Sequence, residues 1–198
     1  MEILYIIAAY LVGAIPTGKL IVHKIKNVDI TQLGSGNIGA SNVARIAGFR
    51  YGMITFIFDM FKGFFFIALC SPIFNKPDID ICFFTGLAVV LGNQFSIFMK
   101  FKGGKGVATG FGVCAGLLGI LMIIPLSLFF LVAVISKFSS LASLLAALST
   151  PFVFFFYNGW NSATLLASII TCLIILRHHE NITRLINGTE NKIHFKKY

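Results

Sequence analysis

Long apolar runs separated by short polar segments organise the chain. Residues 3–22, 51–72, 81–98, 141–157 and 161–176 are each predominantly hydrophobic, and each is close to the ~20 residues an α-helix needs to cross a ~30 Å hydrocarbon core. A sixth apolar stretch covers 107–135. These runs are too long and too continuously apolar for strands, so the pattern predicts membrane-spanning helices.

The polar segments set the direction of each crossing. Lys and Arg concentrate between residues 23 and 50, in KFKGGK (100–105), at Lys137, and from Arg177 onward, whereas NKPDID (75–80) is net acidic and YNGW (157–160) is uncharged. Basic loops face the cytoplasm, which puts the N-terminus outside and the C-terminus inside. One crossing by 107–135 would leave Lys137 and the basic tail outside. Two crossings bring both inside and call for a turn, for which Gly116, Gly119 and Pro125 are available. Each of the two would hold about 14 residues, roughly 21 Å of helix, so the bilayer must thin locally or the ends must reach into wet protein. The expected architecture is an all-α, polytopic integral membrane bundle of about seven transmembrane helices, N-terminus out and C-terminus in, with residues 1–198 as a single domain.

Composition agrees. Of the residues, 57% are hydrophobic and 12% charged, with a mean hydropathy of +0.90, which leaves too little charged surface for a soluble domain. The expected partner is the lipid bilayer, and no nucleic-acid partner is expected. Cys70, Cys82, Cys114 and Cys172 are widely spaced, without a C-x-x-C pair, so they read as buried thiols rather than disulfides or metal ligands. The first apolar run follows an acid, Glu2, and precedes HKIK; lacking the basic lead of a signal peptide, it reads as a retained helix.

GSGNIGASNVAR (34–45) contains G-x-G-x-x-G, with Asp59 twenty residues beyond the last glycine. A dinucleotide site would require a buried strand before the glycines and a second strand ending at the acid, yet Asp59 lies inside an apolar run. Phosphate chemistry without a nucleotide fold fits better. Gly34, Gly36 and Gly39 can shape a nest of main-chain N–H groups, Ser35 and Ser41 offer hydroxyls, and Asn37 and Asn42 offer amides. Arg45, three residues after Asn42, shares a helical face with it and can clamp an oxyanion bidentately.

Two further polar clusters fall on the same side of the expected topology. In Gly103-Gly104-Lys105-Gly106 the Walker A spacing is absent, but the segment presents backbone donors, a central cation and a helix N-terminus near Val107. Lys100 and Lys102 read as orientation signals only. In RHHENITRLINGTE (177–190), His178, Asn181 and Leu185 fall along one helical face, while Thr183 breaks the H-E-x-x-H zinc pattern; no metal site is expected. Asp59 and Lys62, at i and i+3 within an apolar run, can pair, either to lock their helix against its neighbours or to shape the site indirectly.

In this order and spacing, IPTGKL, GSGNIGASNVAR, DMFKG, LGNQF…FKGGKGVATGFG and LRHHENITRLINGTENK closely resemble the acyl-phosphate-dependent glycerol-3-phosphate acyltransferases of bacteria, the PlsY family, over almost the whole chain. The resemblance implies an inner-membrane enzyme with a seven-helix fold that moves a fatty acyl group from acyl phosphate to the 1-hydroxyl of sn-glycerol 3-phosphate, giving lysophosphatidic acid and phosphate. Its motifs imply that Ser35 and Arg45 are essential, with Asn37, Ser41 and Asn42 beside them. They also imply that Gly103, Gly104, Gly106 and Lys105 hold glycerol 3-phosphate, that His178 and Asn181 belong to the active site, and that Glu190 is structural. Asn93, Ser96 and Thr31 stand where the family usually has His, Pro and Arg, and Asn93 cannot serve as a base.

An acyl phosphate is already activated, so the chemistry needs anion sites, an apolar groove and a well-placed hydroxyl, and no cofactor is expected. Ser35 lacks an evident base and reads as a phosphate donor rather than a nucleophile. The hydroxyl proton can pass to His178 or to the phosphate of the acyl donor. A phosphate or organic-anion transporter is the alternative, though no internal repeat of the kind common in transporters is visible.

Overall fold

The computed structural model describes residues 1–74 and 79–193. Expectations that fall on 75–78, within the acidic loop, and on 194–198, the end of the basic tail, lie outside the described residues. The described chain is all-α. Its helices are α1 (Glu2–Ala14), α2 (Thr17–Lys26), α3 (Ala40–Ala47), α4 (Phe49–Phe74), α5 (Ile79–Gln94), α6 (Val107–Leu118), α7 (Ile123–Ser136), α8 (Ser139–Asn158), α9 (Ser162–Arg177) and α10 (His179–Ile186), with 3₁₀ turns at Ile30–Gln32, Ile97–Met99 and Gly119–Met122.

Five segments are individually long and apolar enough to cross a membrane: Glu2–Lys26, Phe49–Cys70, Ile81–Met99, Val107–Ser136 and Ser139–Asn158. Ser162–Arg177 qualifies together with His179–Ile186, across a bend of 59°. The 30-residue segment Val107–Ser136 looks like one span by length, but its two ends return to the same place. Lys105, just before α6, bonds Asn181; Asn181 Nδ2 donates to Glu190 (2.7 Å), and Glu190 accepts from Ser140 Oγ (3.0 Å) at the start of α8, just after α7. The chain therefore reverses between α6 and α7. Gly119 makes the turn with φ +58, a conformation open to glycine. Gly116 and Pro125, expected to share the turn, do not. Gly116 lies inside α6, where a Cβ would press on the Ile67 side chain, and Pro125 sits in the first turn of α7, where its missing N–H leaves no intrahelical bond unmade.

Backbones approach closely at glycines, as expected where lipid supplies no hydrophobic drive between helices. A Cβ on Gly13 of α1 would strike the Val89 backbone of α5, and one on Gly92 of α5 the Tyr10 backbone of α1. Gly63 of α4 meets the Thr109 carbonyl of α6, while Gly112 of α6 meets the Met60 carbonyl of α4. The interior is apolar, with Phe66, Ile67, Val89, Val90, Val113 and Ile170 buried together. Phe58, Phe61, Phe130, Leu131 and Phe156 are exposed on the outside of the bundle, where acyl chains are the matching solvent.

Lys62 locks the bundle at its weakest point. Pro16 breaks the first apolar run into α1 and α2, which frees backbone groups inside that run. The Lys62 ammonium donates to Ile15 O (2.7 Å), Thr17 Oγ1 (2.6 Å) and Asp59 Oδ1 (2.7 Å), filling its three donor positions. The pair thus ties α4 to the break between α1 and α2, and both side chains are buried. Removing one member of a buried pair costs about 3–5 kcal/mol, much of it from the charge left behind. Lys62→Met is therefore expected to lower the melting temperature in detergent markedly, and Asp59→Asn with Lys62→Met to recover part of the loss. A double variant no more stable than Lys62→Met would rule this account out.

Candidate active site

A cavity of about 130 Å³ lies where α3, the starts of α6 and α8, and the α9–α10 junction come together. Ser35, Asn37, Ser41, Asn42, Arg45, Gly104, Lys105, Gly106, His178, Asn181, Glu190 and Asp59 all line it. Three sequence clusters thus share one cavity. Gly34, Gly36, Gly103 and Lys62 are expected site or flanking residues that do not line it.

The first loop folds around Asn42. Its Nδ2 donates to Leu33 O and Asn37 O (both 2.9 Å), and its Oδ1 accepts from Ser35 N (3.0 Å) and Arg45 Nη1 (3.1 Å). Both donors and two acceptor positions are used, and the side chain is buried, so Asn42 acts as a scaffold for the loop rather than as the free substrate ligand its motif led one to expect. The glycine nest also differs from expectation. Gly36 N donates to Leu33 O (3.0 Å) and Gly39 N to Asn37 Oδ1 (2.8 Å), so these N–H groups are spent inside the loop. The first turn of α3, at Ala40 and Ser41, supplies N–H groups without an intrahelical acceptor. Arg45 lines the cavity with one guanidinium nitrogen bound to Asn42; the others can meet an anion.

The second loop is held against the end of α5. Gly103 N donates to Gln94 O (3.1 Å), Gly104 N to Asn93 O (2.9 Å), Gly106 N to Asn93 Oδ1 (3.2 Å) and Gln94 Nε2 to Lys105 O (2.9 Å). A Cβ on Gly103 would collide with the Asn93 carbonyl, so this glycine serves close approach. From the other side Arg177 donates to Gly104 O (3.3 Å) and Gly103 O (3.1 Å), and its guanidinium lies 5.4 Å from the centre of the Phe95 ring. Asn93, which cannot serve as a base, positions the lysine loop by its amide oxygen.

Electrostatics at the third wall follows from burial. Lys105 bonds Asn181 Oδ1, and burial draws its ammonium down to about 8, with the nearby Glu190 carboxylate pulling the other way. His178 is drawn down to about 4 by burial and then by the Lys105 charge, so it is neutral near pH 7. Its Nδ1 lies 2.7 Å from Ile174 O; because a carbonyl only accepts, Nδ1 carries the proton and Nε2 is left with a lone pair. Burial alone would raise Glu190, but hydrogen bonds from Arg184, Asn181 and Ser140 outweigh it and bring the carboxyl below its ordinary range. With Arg184 Nε at 2.8 Å, Glu190 knits α8 to α10. Among the described residues, no three His, Cys, Asp or Glu side chains converge as metal ligands.

Other residues of the site carried weaker sequence signals. Ser139 and Ser140, two hydroxyls opening an apolar helix, and Gln94, an amide inside an apolar run, could have been noticed. Phe56, Phe129 and Ser143 also line the cavity, yet nothing local distinguishes them from lipid-facing or packing residues. Arg177 looked like one more basic residue of the tail.

The fold and site define a helical integral membrane protein with a cationic cavity at one end of its bundle. A family model described as glycerol-3-phosphate acyltransferase matches residues 3–188, and the chain belongs to that family. It is 43% identical over 198 residues to a glycerol-3-phosphate acyltransferase of Endomicrobium trichonymphae (100% of this chain, 98% of that one), and 41% identical over 191 residues to one of Fusobacterium nucleatum (96% and 97%). It is similar in structure to PlsY (YgiH), an integral membrane glycerol 3-phosphate acyltransferase solved in its glycerol 3-phosphate form. The TM-score is 0.91 at 36% identity, covering 98% of this chain and 96% of that one. The lysophosphatidic acid form of the same protein gives a TM-score of 0.88.

Proposed function

We propose that this protein transfers a fatty acyl group from acyl phosphate to the 1-hydroxyl of sn-glycerol 3-phosphate, releasing lysophosphatidic acid and phosphate, the first acylation of phospholipid synthesis. The observation that carries the reading is the placement of Arg45, in the last turn of α3, and Lys105, just before the open first turn of α6, on one apolar-flanked cavity. Two cationic positions suit two phosphates. The similar PlsY structures, named for a glycerol 3-phosphate and a lysophosphatidic acid form, support substrate and product at such a site.

The reaction needs the 1-hydroxyl oxygen to bond the acyl carbonyl carbon while the carbon–oxygen bond to phosphate breaks, the electron pair leaving with the phosphate. Arg45 and Lys105 hold the anions and balance the charge on the departing group. The remaining question is the proton. The phosphate gains basicity as the carbon–oxygen bond breaks and the electron pair leaves with it, whereas burial and the Lys105 charge draw His178 down to about 4, so the departing phosphate is the stronger base. His178 Nε2 accepts the hydroxyl hydrogen bond and orients the nucleophile, and the proton passes to the acyl phosphate's own oxygen.

Seven crossings follow if α1 and α2 count as one and α4, α5, α6, α7, α8 and α9 as one each. The 12 residues of α6 and 14 of α7 would span only about 18 and 21 Å. Basic segments beside the cavity support a site that faces the cytoplasm from a bacterial inner membrane. The cavity lies at one end of the bundle rather than at the midplane sites common in transporters, which favours transfer over transport.

Three outcomes are expected. Purified protein in detergent should release phosphate from acyl phosphate only when glycerol 3-phosphate is present, and Arg45→Lys should lose about tenfold or more in kcat/KM because a point charge replaces a bidentate fork; release independent of glycerol 3-phosphate would defeat the assignment. Reporters fused after Lys26, Lys102 and Lys137 should read cytoplasmic and one after Gly159 external, with an external reading at Lys137 overturning the paired short crossings.

The pH dependence has a definite sign. Lys105 loses its charge as pH rises through about 8, so kcat/KM, which reports the free enzyme and free substrate, should fall there. A bound dianion raises the lysine's pKa, and the corresponding fall in kcat should lie higher. On the acid side the limb near pH 6 belongs to phosphate and should survive His178→Gln although the rate drops; loss of that limb in His178→Gln would make His178 the base.

A further inference from the structure

Several hydroxyls inside the helices of this protein turn back on their own backbone. Thr55 donates to Tyr51 O (2.9 Å), Ser143 to Ser139 O (2.8 Å), Thr150 to Ala146 O (2.9 Å) and Ser168 to Thr164 O (2.8 Å), each four residues back. Thr109 does not. Its acceptor four residues back would be the Lys105 carbonyl, which precedes α6. Gly106, with φ +77, bends the chain there, and Gln94 Nε2 donates to that carbonyl. Thr109 Oγ1 is left buried without a partner, at 0% residue exposure. Thr85 Oγ1 and Gln94 Oε1 share that condition, but of the three only Thr109 lines the cavity.

The surroundings fit an anion. Gly106 N is taken by Asn93 Oδ1, and intrahelical bonding begins with Gly110 N to Gly106 O (2.7 Å). The N–H groups of Val107, Ala108 and Thr109 therefore stand in the open first turn of a 12-residue helix, which has no side-chain cap. Lys105 lies on the same cavity.

We propose that the Thr109 hydroxyl is a substrate-binding group, donating to a phosphate oxygen seated on the first turn of α6 beside Lys105. The placement rests on the acyl-transfer reading for the identity of the phosphate: either that of glycerol 3-phosphate or that of the acyl donor. A buried hydroxyl with no acceptor in the protein is a cost to the empty enzyme that a phosphate oxygen removes on binding. The hydroxyl therefore contributes to affinity rather than to the fold, and that separates it from the threonines that bond their own helix.

Thr109→Val keeps the shape and removes the donor, and Thr109→Ser keeps the donor. Initial rates of the purified full-length protein, with each substrate varied in turn, should show one KM raised roughly 10- to 100-fold in Thr109→Val, the scale of a hydrogen bond to a charged acceptor, and changed less than about 3-fold in Thr109→Ser. A raised KM for glycerol 3-phosphate assigns the seat to the acceptor, and one for acyl phosphate to the donor. Inhibition by inorganic phosphate should weaken in parallel, while the substrate-free melting temperature of Thr109→Val should equal or exceed that of wild type. Both KM values and the phosphate inhibition constant within about twofold of wild type, or a lowered substrate-free melting temperature, would overturn the proposal. If wild type transfers no acyl group but phosphate raises its melting temperature, and Thr109→Val abolishes that rise, the anion seat stands and the acyl-transfer reading falls.

Discussion

Asn181 stands between a cation and an anion that are both largely withdrawn from water. Its Oδ1 accepts from Lys105 and its Nδ2 donates to Glu190, and Glu190 in turn holds Ser140 and Arg184. An amide is suited to this place because it offers a donor and an acceptor at once and is never charged. Direct contact would neutralise the lysine by ion pairing. With Asn181 interposed, Lys105 is oriented while its charge stays available to a phosphate. The same link fixes the return of α7, since the start of α8 is gripped through Ser140 beside the lysine that precedes α6. The site and the reversal of the chain therefore depend on one set of bonds.

The apolar runs were legible because a bilayer imposes length and composition on every crossing. The turn at Gly119 was legible too, through a charge argument about Lys137 rather than any local turn signal. Gly116 and Pro125 misled because glycine inside a membrane helix more often serves close packing than turning, and proline in a first helical turn breaks nothing. The expected third span agrees with Ile81–Met99, but within it the regular helix ends at Gln94 and a 3₁₀ turn follows at Ile97–Met99; the chain leaves the helix there and Gly103 and Gly104 bond the carbonyls of Gln94 and Asn93, a long-range demand that hydropathy does not record.

The cluster residues were legible by type and position, but their division of labour was not. Asn42 and Gly103 looked like substrate ligands and serve as scaffold, because a residue's own hydrogen-bond partners are set by the folded loop. Arg177 presented as a topogenic charge and holds two loop carbonyls. Asn93, which seemed a lost base, turns out to hold the amide of Gly106. Glycine-rich motifs invite the reading that their backbone faces a ligand. Here the N–H groups of Gly36, Gly39, Gly103, Gly104 and Gly106 are all bonded within the protein, and helix first turns present the open donors instead.

This arrangement bears on how an enzyme with few charges handles two anions at the end of a hydrocarbon bundle. Flexible loops would have to be ordered by each substrate in turn, at a cost in binding energy. Loops whose amides are already satisfied internally need no ordering, and they present the first turns of α3 and α6 as fixed dipoles. Burial lowers the charge stability of Lys105, so an arriving phosphate gains more from it than from a solvated lysine. His178, neutral under the same burial and held by the Ile174 carbonyl, can then position a hydroxyl without adding a third positive charge. Such a charge would stabilise the proton-accepting phosphate oxygen as an anion and weaken it as a base. In the proposed reaction, a neutral imidazole and a charged lysine would leave the proton its most favourable acceptor on the substrate, and the protein would be left with binding, orientation and charge balance.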